Sequence, residues 1–553
     1  MKSIREQLWR RLPRIIAATA VMAVIAGSLT ASNTARAGGT LRVGMTAADI
    51  PLSWGQPDQG FEGFRFMGLM LYDGLINWDM SSADKASGLI PGLAESWTVN
   101  AKDKTKWIFK LRQGAKFHDG SEFDADAVLW NFDKLFDKSV PQYSARQGSL
   151  VNFRISSVAY DSASNAKGWK KIDKYTVEFT TKSPDSFFPY QISYILMSSP
   201  AQFDKTGKDW KQFAKNPSGT GPWKLVKLVP RERAEFVPFK EHWDPTRQPK
   251  LDKVITLPIP DPNARTAALL SGQVDWIEAP SPDAIPKLKE RGMVVSSNLY
   301  PHIWSWHLSR VEGSPWNDIR VRKAANLAID RAGVKALLGG YAIEAKGHVT
   351  PGDPWFGTPS FVLRYDPAAA KKLLKEAGYG PNNPIKVKIM ISASGSGQML
   401  PLPMNEYIQQ NLKEVGIDVD FEVMEWQSLL GRWRAGAKAA QAKGTNGINV
   451  SYTTQDPFSG FTRFLRCDLH APGGVNWGYH CNKEIDELLN KASLAFDSKE
   501  RDKWIAKLHT LEVDQALFIW VVHDVAPRGM TTKVKGFVQA RNWFQSLTPV
   551  YME

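Results

Sequence analysis

Cysteine and histidine are the residue types in this chain best suited to nucleophilic or metal-binding chemistry. The two cysteines, Cys467 and Cys481, lie 14 positions apart, and an even number at short separation favours a disulfide bond over two free thiols. A zinc site is the weaker interpretation, because only His470 and His480 lie nearby and their spacing matches no zinc pattern. Bonded cysteines are not nucleophiles, so the sequence predicts a structural role for both.

The histidines and carboxylates form no recognisable catalytic pattern. The nine histidines are dispersed, and the five-residue separation of His302 and His307 suits no common helical ligand pair. The sequence contains no H-E-x-x-H, no G-x-S-x-G and no G-x-x-x-x-G-K-S/T motif. Carboxylate pairs can always be chosen from 56 acidic residues, so a secreted hydrolase is left open as an alternative. We predict a protein that is not an enzyme, with no catalytic residues, no metal site and no cofactor.

The composition predicts a folded protein with more than one domain. Hydrophobic residues make up 43% and charged residues 23% of the 553 positions, which excludes wholesale disorder. This length corresponds to about two to four domains. The net charge of +14 is spread along the chain without a basic run that would follow a phosphate backbone. We therefore expect no nucleic-acid partner.

The first 37 residues have the pattern of a secretory signal peptide. Five basic residues in positions 1–14 precede an apolar stretch over 15–31, and Ala35-Arg36-Ala37 is a small-x-small cleavage site. The alternative is an uncleaved membrane anchor, but the apolar stretch is short for a span of roughly 20 residues. Cleavage after Ala37 removes six basic and one acidic residue, so the net charge falls from +14 to +9. We expect a soluble periplasmic protein, in a compartment that permits a disulfide.

Segments with the pattern of strands and helices alternate along the rest of the chain. Strands are predicted over Thr40–Gly44, Lys106–Leu111, Tyr175–Thr180, Ile385–Ile391 and Ile417–Val423. Helices are predicted over Asp124–Leu135, Asp318–Leu338, Asp366 to about Gly378, and Asn405–Val415. This βαβ-like alternation predicts an α/β fold with a mixed or parallel sheet.

Aromatic residues are the side chains most available for ligand contact. The sequence has 21 tryptophans, and aromatic faces supply a large contact area with few rotamers to fix. Trp54, Trp426 and Trp477 are candidates for a ligand cleft, because each lies beside turn-forming or polar residues. Packing in the core is the alternative for each of them.

Several motifs occur in a fixed order. They are LAESWTV (Leu93–Val99), WIFKLRQGAKFHDG (Trp107–Gly120), FDADAVLWN (Phe123–Asn131), NPSGTGPW (Asn216–Trp223), DIRVRKAANLAIDR (Asp318–Arg331) and WGYHCNKEIDELL (Trp477–Leu489). Together they resemble the extracytoplasmic solute-binding proteins of peptide and nickel ABC transporters, family 5. The resemblance extends from about residue 40 to about residue 535.

The resemblance implies a two-lobed α/β periplasmic binding protein (type II, cluster C-like), with an extra subdomain in lobe I and a hinge. Lobe I would comprise residues 38–303 and 516–553, and lobe II residues 304–515. A monomer would capture a small solute by hinge closure and deliver it to an inner-membrane ABC permease driven by its own ATPase. A ligand sensor or chaperone on the same fold is the alternative.

The resemblance also indicates where the solute would bind. In peptide-binding members an aspartate about three residues before an (E/D)P pair binds the α-amino group. The pair here is Asp456-Pro457, and the amine-binding position falls on the neutral Thr453. A buried ammonium without a carboxylate is costly, so an uncharged, oligosaccharide-like or opine-like solute is favoured over a zwitterionic peptide. Asp456 would bind the amine if peptides are nevertheless the ligands.

The loop after the first predicted strand and the loop after the predicted strand Ile385–Ile391 complete the predicted ligand site. Asp58, Gln59 and Phe61 would contribute from lobe I, and Ser392 and Ser394 from lobe II. Plain solvation of an exposed loop is the alternative for Asp58 and Ser394.

Overall fold

The computed structural model describes residues 38–151, 154–394 and 400–553. The predicted signal peptide, residues 1–37, and its cleavage site lie outside the described residues and stay predictions. The described residues form two mixed seven-stranded sheets and a separate four-stranded sheet. This is a two-lobed α/β architecture, and the predicted fold class is confirmed.

The first sheet forms lobe I and is built around the first strand of the chain. Its strands, in spatial order, are Trp223–Val229, Arg233–Pro238, Lys253–Pro258, Thr40–Met45, Trp276–Glu278, Arg528–Met530 and Val294–Ser296. The central strand Thr40–Met45 buries Leu41, Val43 and Met45, and it runs parallel to both neighbours. Parallel central strands are covered on both faces, which explains their apolar composition.

The four-stranded sheet forms the extra subdomain of lobe I. Its order is Ala94–Val99, Lys106–Leu111, Thr176–Thr180 and Trp169–Asp173, with all pairs antiparallel. The helix Ala125–Phe136 packs on it, and Phe132 lies 4.6 Å from Phe179 between ring centroids. Asp124 caps this helix by accepting a 3.2 Å hydrogen bond from the Ala127 N–H. The subdomain thus has its own apolar core.

The second sheet forms lobe II. Its order is Ala342–Glu344, Phe518–Asp524, His302–Leu308, Gly447–Asn449, Ile385–Ser392 and Ile417–Met424, and Tyr452–Thr453 also pairs with His302–Leu308. The parallel strands Ile385–Ser392 and Ile417–Met424 are joined by the helix Pro401–Glu414 in a βαβ unit. Every residue of His302–Leu308 and of Phe518–Asp524 is buried, so helices and loops cover both faces at the centre of this sheet.

The remaining elements surround these sheets. Two-stranded pairings join Ile76–Trp78 to Leu89–Pro91, Tyr160–Asp161 to Ala166–Lys167, and Val534–Lys535 to Tyr551–Met552. The other α-helices are Gly60–Gly63, Leu69–Leu71, Ala145–Val151, Phe188–Ile192, Pro200–Lys205, Trp210–Phe213, Pro262–Leu270, Ile285–Glu290, Ile319–Ala328, Arg331–Leu337, Pro367–Glu376, Trp426–Ala435, Arg463–Leu465, Lys483–Leu494 and Ser498–Asp514. Phe64–Gly68 and Phe458–Thr462 form π-helical turns.

The predicted helix Asp318–Leu338 is wrong as one continuous element. It consists of two helices, Ile319–Ala328 and Arg331–Leu337, separated by an extended residue, Ile329. Asp330 causes the break, because its carboxylate accepts a 3.0 Å hydrogen bond from the Gly333 N–H and caps the second helix. The predicted helix Asn405–Val415 begins earlier, at Pro401, a residue well suited to the first helical turn.

The chain passes between the two sheets at two places. It leaves the first sheet after Val294–Ser296 and returns between Phe518–Asp524 and Arg528–Met530. The backbone N–H of Asn298 donates a 3.0 Å hydrogen bond to the carbonyl of Val525, so the two crossings lie side by side. Residues 518–524, which the sequence analysis placed in the return to lobe I, form a strand of the second sheet. The exact lobe boundaries stay a prediction.

The predicted disulfide joins Cys467 to Cys481, with 4.7 Å between their Cα atoms. Cys481 directly precedes Asn482, which caps the helix Lys483–Leu494. The bond therefore ties the loop after Cys467 to the start of that helix. None of the helices in the part of the chain that the structure describes is long and apolar enough to cross a membrane.

Candidate functional site

A small cavity lies between the two lobes. Lobe I contributes Phe61, Arg154 and Trp543, and lobe II contributes Trp426 and Tyr452 among others. Its volume is about 60 Å³, and its walls are mainly aromatic. We call it the cleft cavity. Residues from distant parts of the chain meet here because the two crossings hold the lobes face to face.

The lobe I wall begins in the loop after the first strand. Asp58 accepts hydrogen bonds from the Leu52 N–H (2.9 Å) and from Arg146 (3.2 Å), and these contacts fix the loop. Burial raises the pKa of the Asp58 carboxyl, and the Leu52 N–H and Arg146 oppose that shift. Asp58 thereby shapes the wall rather than lining the cavity.

Gln59 and Phe61 continue this loop toward lobe II. Gln59 has a left-handed backbone (φ 59°) at the start of the helix Gly60–Gly63. Its carbonyl Oε1 accepts a 3.2 Å hydrogen bond from Nε2 of Gln427, which is a direct contact between the lobes. Phe61 is buried and its ring centroid lies 4.3 Å from that of Trp543. The predicted Phe61 therefore belongs to the cavity wall.

The lobe II wall of the cleft cavity is formed by the first turn of a helix and by a short strand. Trp426 begins the helix Trp426–Ala435, which Glu425 caps by accepting from the Gln427 and Ser428 N–H groups. Tyr452 lies opposite, on the strand Tyr452–Thr453. Thr453 itself is fully buried beside the cavity; it pairs with His302, and its hydroxyl accepts from the Gln455 N–H at 3.2 Å. This position carries no charge.

Asp456 is fully buried next to the cavity and is already engaged by protein groups. Its carboxylate accepts hydrogen bonds from the Tyr194 hydroxyl (3.1 Å) and the Ser459 N–H (2.7 Å). Burial raises the pKa of the Asp456 carboxyl, while the Ser459 groups and the nearby Arg463 oppose the shift. Asp456 thus joins lobe II to lobe I, and it accepts a hydrogen bond from the π-helical turn that follows it.

The cavity is also lined by three arginines, which the sequence analysis did not identify. Arg154 and Arg463 are buried, and Arg434 is half-buried. The Arg154 guanidinium lies over the rings of Tyr194 and Phe61, 4.4 and 4.8 Å from their centroids. The three arginines lie in unrelated segments of the chain, so no sequence motif could have grouped them. They come together in the folded structure.

Four of the predicted site residues lie away from the cleft cavity. Trp54 packs against Trp210 in a small aromatic cluster of lobe I, and Trp477 is fully buried in the lobe II core. Ser392 is buried at the end of its strand, and Ser394 is half-exposed in the loop that follows. For these four residues, ligand contact stays a prediction.

A larger cavity of about 380 Å³ lies within lobe I alone. It is lined by residues such as Met70, Trp78, Trp223, Arg247 and Phe544. Because one lobe forms all of it, lobe closure would not enclose a ligand there. Among residues 38–151, 154–394 and 400–553, no cluster of three or more His, Cys, Asp or Glu side chains is placed to hold a metal ion.

Two lobes joined by paired crossings, with an aromatic cavity between them, define a two-lobed solute-binding protein. The model of the bacterial extracellular solute-binding proteins, family 5, matches residues 88–468. The chain therefore belongs to this family, and the resemblance and the predicted solute-binding class are confirmed.

Individual relatives agree with this assignment. The glutathione-binding protein GsiB of Escherichia coli is 31% identical over 440 residues, covering 76% of this chain and 78% of that protein. The dipeptide-binding protein of Escherichia coli is 27% identical over 487 residues, covering 85% and 86%. An ABC transporter-associated periplasmic binding protein of Helicobacter pylori, solved in complex with a peptide, has the same fold, with a TM-score of 0.79, 24% identity and coverage of 93% and 98%.

Proposed function

We propose that this protein is the periplasmic solute-binding component of an ABC importer. The two lobes close on a small organic solute, and the closed form delivers it to an inner-membrane permease. The ATPase of that transporter supplies the energy, and this chain catalyses no reaction. The observation that carries the proposal is the cleft cavity, whose walls come from both lobes.

The paired crossings support hinge motion. Among the described residues, the two sheets are connected by two segments, near 297–301 and 525–527, and the Asn298–Val525 hydrogen bond keeps these segments adjacent. Rotation about two adjacent segments changes few backbone angles while moving whole lobes. The contacts across the cleft, Gln59 to Gln427 and Tyr194 to Asp456, would form as the lobes close.

The proposed solute is a peptide-like or oligosaccharide-like molecule. Relatives named for dipeptides and glutathione support a peptide-like molecule. The neutral, buried Thr453 and the engaged Asp456 argue against recognition of a free α-amino group by the pattern of peptide-binding members. Aromatic walls favour stacking on a planar or apolar surface of the solute.

A thermal-shift and calorimetric screen tests the proposal. The purified protein, refolded free of carried-over ligand, is titrated with dipeptides, tripeptides, glutathione, opines and oligosaccharides. A solute at 100 times its dissociation constant stabilises the folded state by about 2.7 kcal/mol, which gives a clear rise in Tm. Small-angle scattering should show a smaller radius of gyration with the same solute.

A pair of tryptophan variants localises the site. Trp426 and Trp504 both pack against the lobe II core, but only Trp426 lines the cleft cavity. Trp426→Ala should weaken binding, whereas Trp504→Ala should leave the affinity unchanged. Equal effects of the two substitutions, turnover of a bound solute, or no stabilisation by any solute class would each contradict the proposal.

A further inference from the structure

The cavity of about 380 Å³ within lobe I, which we call the lobe I cavity, is large enough for a small organic molecule. Pockets for such ligands enclose about 300–1,000 Å³ and have mainly apolar and aromatic walls. The apolar wall residues that are at most 4% exposed include Met70, Trp78, Trp223, Phe544 and Leu547. Ile90 also lines the cavity and is 37% exposed, so the cavity reaches the protein surface.

The lobe I cavity is separate from the cleft cavity. None of the described residues lines both. Phe544 lines the lobe I cavity and Phe61 lines the cleft cavity, and their ring centroids lie 5.5 Å apart. Packed aromatic side chains therefore divide the two spaces. Since every wall of the lobe I cavity belongs to one lobe, binding there would not depend on closure of the lobes.

The side chain of Gln545 is a buried polar group in this apolar wall. Gln545 is 4% exposed, and neither its Oε1 nor its Nε2 has a hydrogen-bond partner among the described residues. The backbone before it is fixed, because the Phe544 N–H donates a 2.8 Å hydrogen bond to the Asn542 carboxamide. A buried amide without partners costs stability, so its presence in a cavity wall points to a ligand that completes its hydrogen bonds.

The charged groups of the lobe I cavity are balanced. Two basic and two acidic residues line it: Arg65, Arg247, Asp79 and Asp244. Arg65 lies 3.2 Å from Glu278, and Arg247 lies 2.7 Å from Asp73. The two acidic residues also have protein partners. The cavity therefore presents no excess charge to a ligand, although the Nε of Arg65, without a partner among the described residues, is a further donor.

We propose that the lobe I cavity is a second ligand site, for an uncharged and mainly apolar molecule whose lactam or carboxamide group pairs with the side chain of Gln545. A primary amide presents a donor beside an acceptor, and a lactam presents the complementary pair. The aromatic walls favour a flat body for the rest of the molecule. This inference does not rest on the proposed function, since the site lies outside the cleft cavity.

Three flat bicyclic probes of similar size test the inference. Carbostyril is a lactam, N-methylcarbostyril is the same lactam with its donor blocked, and naphthoate is an anion. Each is titrated against the whole protein by ligand-observed NMR. We expect carbostyril to bind about tenfold more tightly than either of the others, because they leave part of the buried Gln545 amide unpaired.

Gln545→Met and Gln248→Met form a matched pair of variants. Gln248 directly follows the lining residue Arg247 but does not itself line the cavity, and its Nε2 donates to backbone carbonyls at 3.4 Å. Gln545→Met should weaken carbostyril about tenfold and bring its affinity to that of N-methylcarbostyril, whereas Gln248→Met should change neither. Without a probe, Gln545→Met should have the same Tm as the unmodified protein or a higher one, because no described residue loses a partner.

Several outcomes would overturn the inference. Carbostyril that does not bind, or that binds no more tightly than N-methylcarbostyril or naphthoate, would exclude recognition by the Gln545 amide. A fall in the Tm of Gln545→Met by several degrees would show that this amide stabilises the fold instead. The cleft is tested with other ligands and with Trp426→Ala, so a failure of the second site and a failure of the proposed function are distinguishable.

Discussion

The hydroxyl of Tyr194 in lobe I donates a 3.1 Å hydrogen bond to the carboxylate of Asp456 in lobe II, across 262 positions of sequence. The same hydroxyl accepts a 2.8 Å hydrogen bond from Nε2 of Gln455. Tyr194 and Asp456 are both fully buried, so water does not replace the hydrogen bond between them. Asp456, which the sequence analysis named as the amine partner if peptides are the ligands, is thus part of the contact between the lobes.

Tyr194→Phe should lower the free energy of unfolding by about 1–3 kcal/mol, because Asp456 loses a buried donor. Urea denaturation measures the change. Tyr160→Phe is the control, since the Tyr160 hydroxyl has only a long, exposed contact of 3.4 Å to Asn165 and should change stability much less. Equal effects of the two substitutions would contradict a stabilising role for the Tyr194–Asp456 contact.

Glu278→Gln should destabilise lobe I by about 3–5 kcal/mol, because it leaves buried positive charge uncompensated. Glu278 is buried between Arg65 (3.2 Å) and Arg528 (2.8 Å). Chemical denaturation measures the loss. Glu235→Gln is the control: Glu235 pairs with Arg233 and Lys253 near the surface, where ion pairs contribute about 0–1 kcal/mol. A loss at Glu278 no larger than this would show that the buried arginines are compensated elsewhere.

Because of Glu512, we expect the free energy of unfolding to fall as the pH rises. Burial raises the pKa of Glu512 from 4.5 to about 8, and its carboxyl lies 2.6 Å from Nδ1 of His348. Between these pH values the folded protein keeps a proton that the unfolded chain has released, so each pH unit costs up to about 1.4 kcal/mol. The stabilising contribution is complete below pH 4.5 and is lost as the pH rises through about 8.

Glu512→Gln isolates this effect from that of the buried histidines. Burial lowers the pKa of His348 from 6.5 to about 3, so that residue shifts stability in the opposite direction, upward as the pH rises from about 3 to 6.5. The difference in unfolding free energy between the protein and Glu512→Gln, measured from pH 5 to pH 8, should therefore shrink steadily. A constant difference would mean that Glu512 is ionised in the folded state.

Removing the Cys467–Cys481 bond should cost about 3 kcal/mol, the entropy of closing a loop of about 15 residues in the unfolded chain. A Cys467→Ala/Cys481→Ala double variant and the reduced protein should lose the same stability in urea. A reducing agent should leave the double variant unchanged. Stability that does not depend on the bond would indicate that the helix cap at Asn482 is sufficient to order this loop.

Sequence patterns predicted the elements whose signals are local. The strand Lys106–Leu111 and the helix over Ala125–Phe136 follow from apolar periodicity and the cap at Asp124. The break at Ile329 was missed because apolar spacing continues across it, whereas the capping bond of Asp330 is visible only in three dimensions. Apolar periodicity does not show where a single side chain hydrogen-bonds to the backbone and so interrupts a helix.

The candidate site was predictable only in part. Phe61 and Trp426 were found because loops after strands and isolated aromatic residues are common in ligand clefts. Arg154, Arg434, Arg463 and Trp543 were missed, because they come from separate segments of the chain and each occurs in an ordinary local sequence. Trp477 was predicted to line the cleft because its neighbours in the sequence are polar, but its side chain is completely buried in the lobe II core.

The placement of Arg528–Met530 in the first sheet determines the order in which the lobes can fold. This strand lies between Trp276–Glu278 and Val294–Ser296, so the first sheet remains divided until nearly the whole chain is available. All strands of the second sheet lie in the contiguous stretch from His302 to Asp524, so that sheet needs no such late segment. Long-range strand pairing is slow, because chain entropy is lost before the contacts form. In a chain that emerges from its N terminus, the lobe that begins first is therefore completed last.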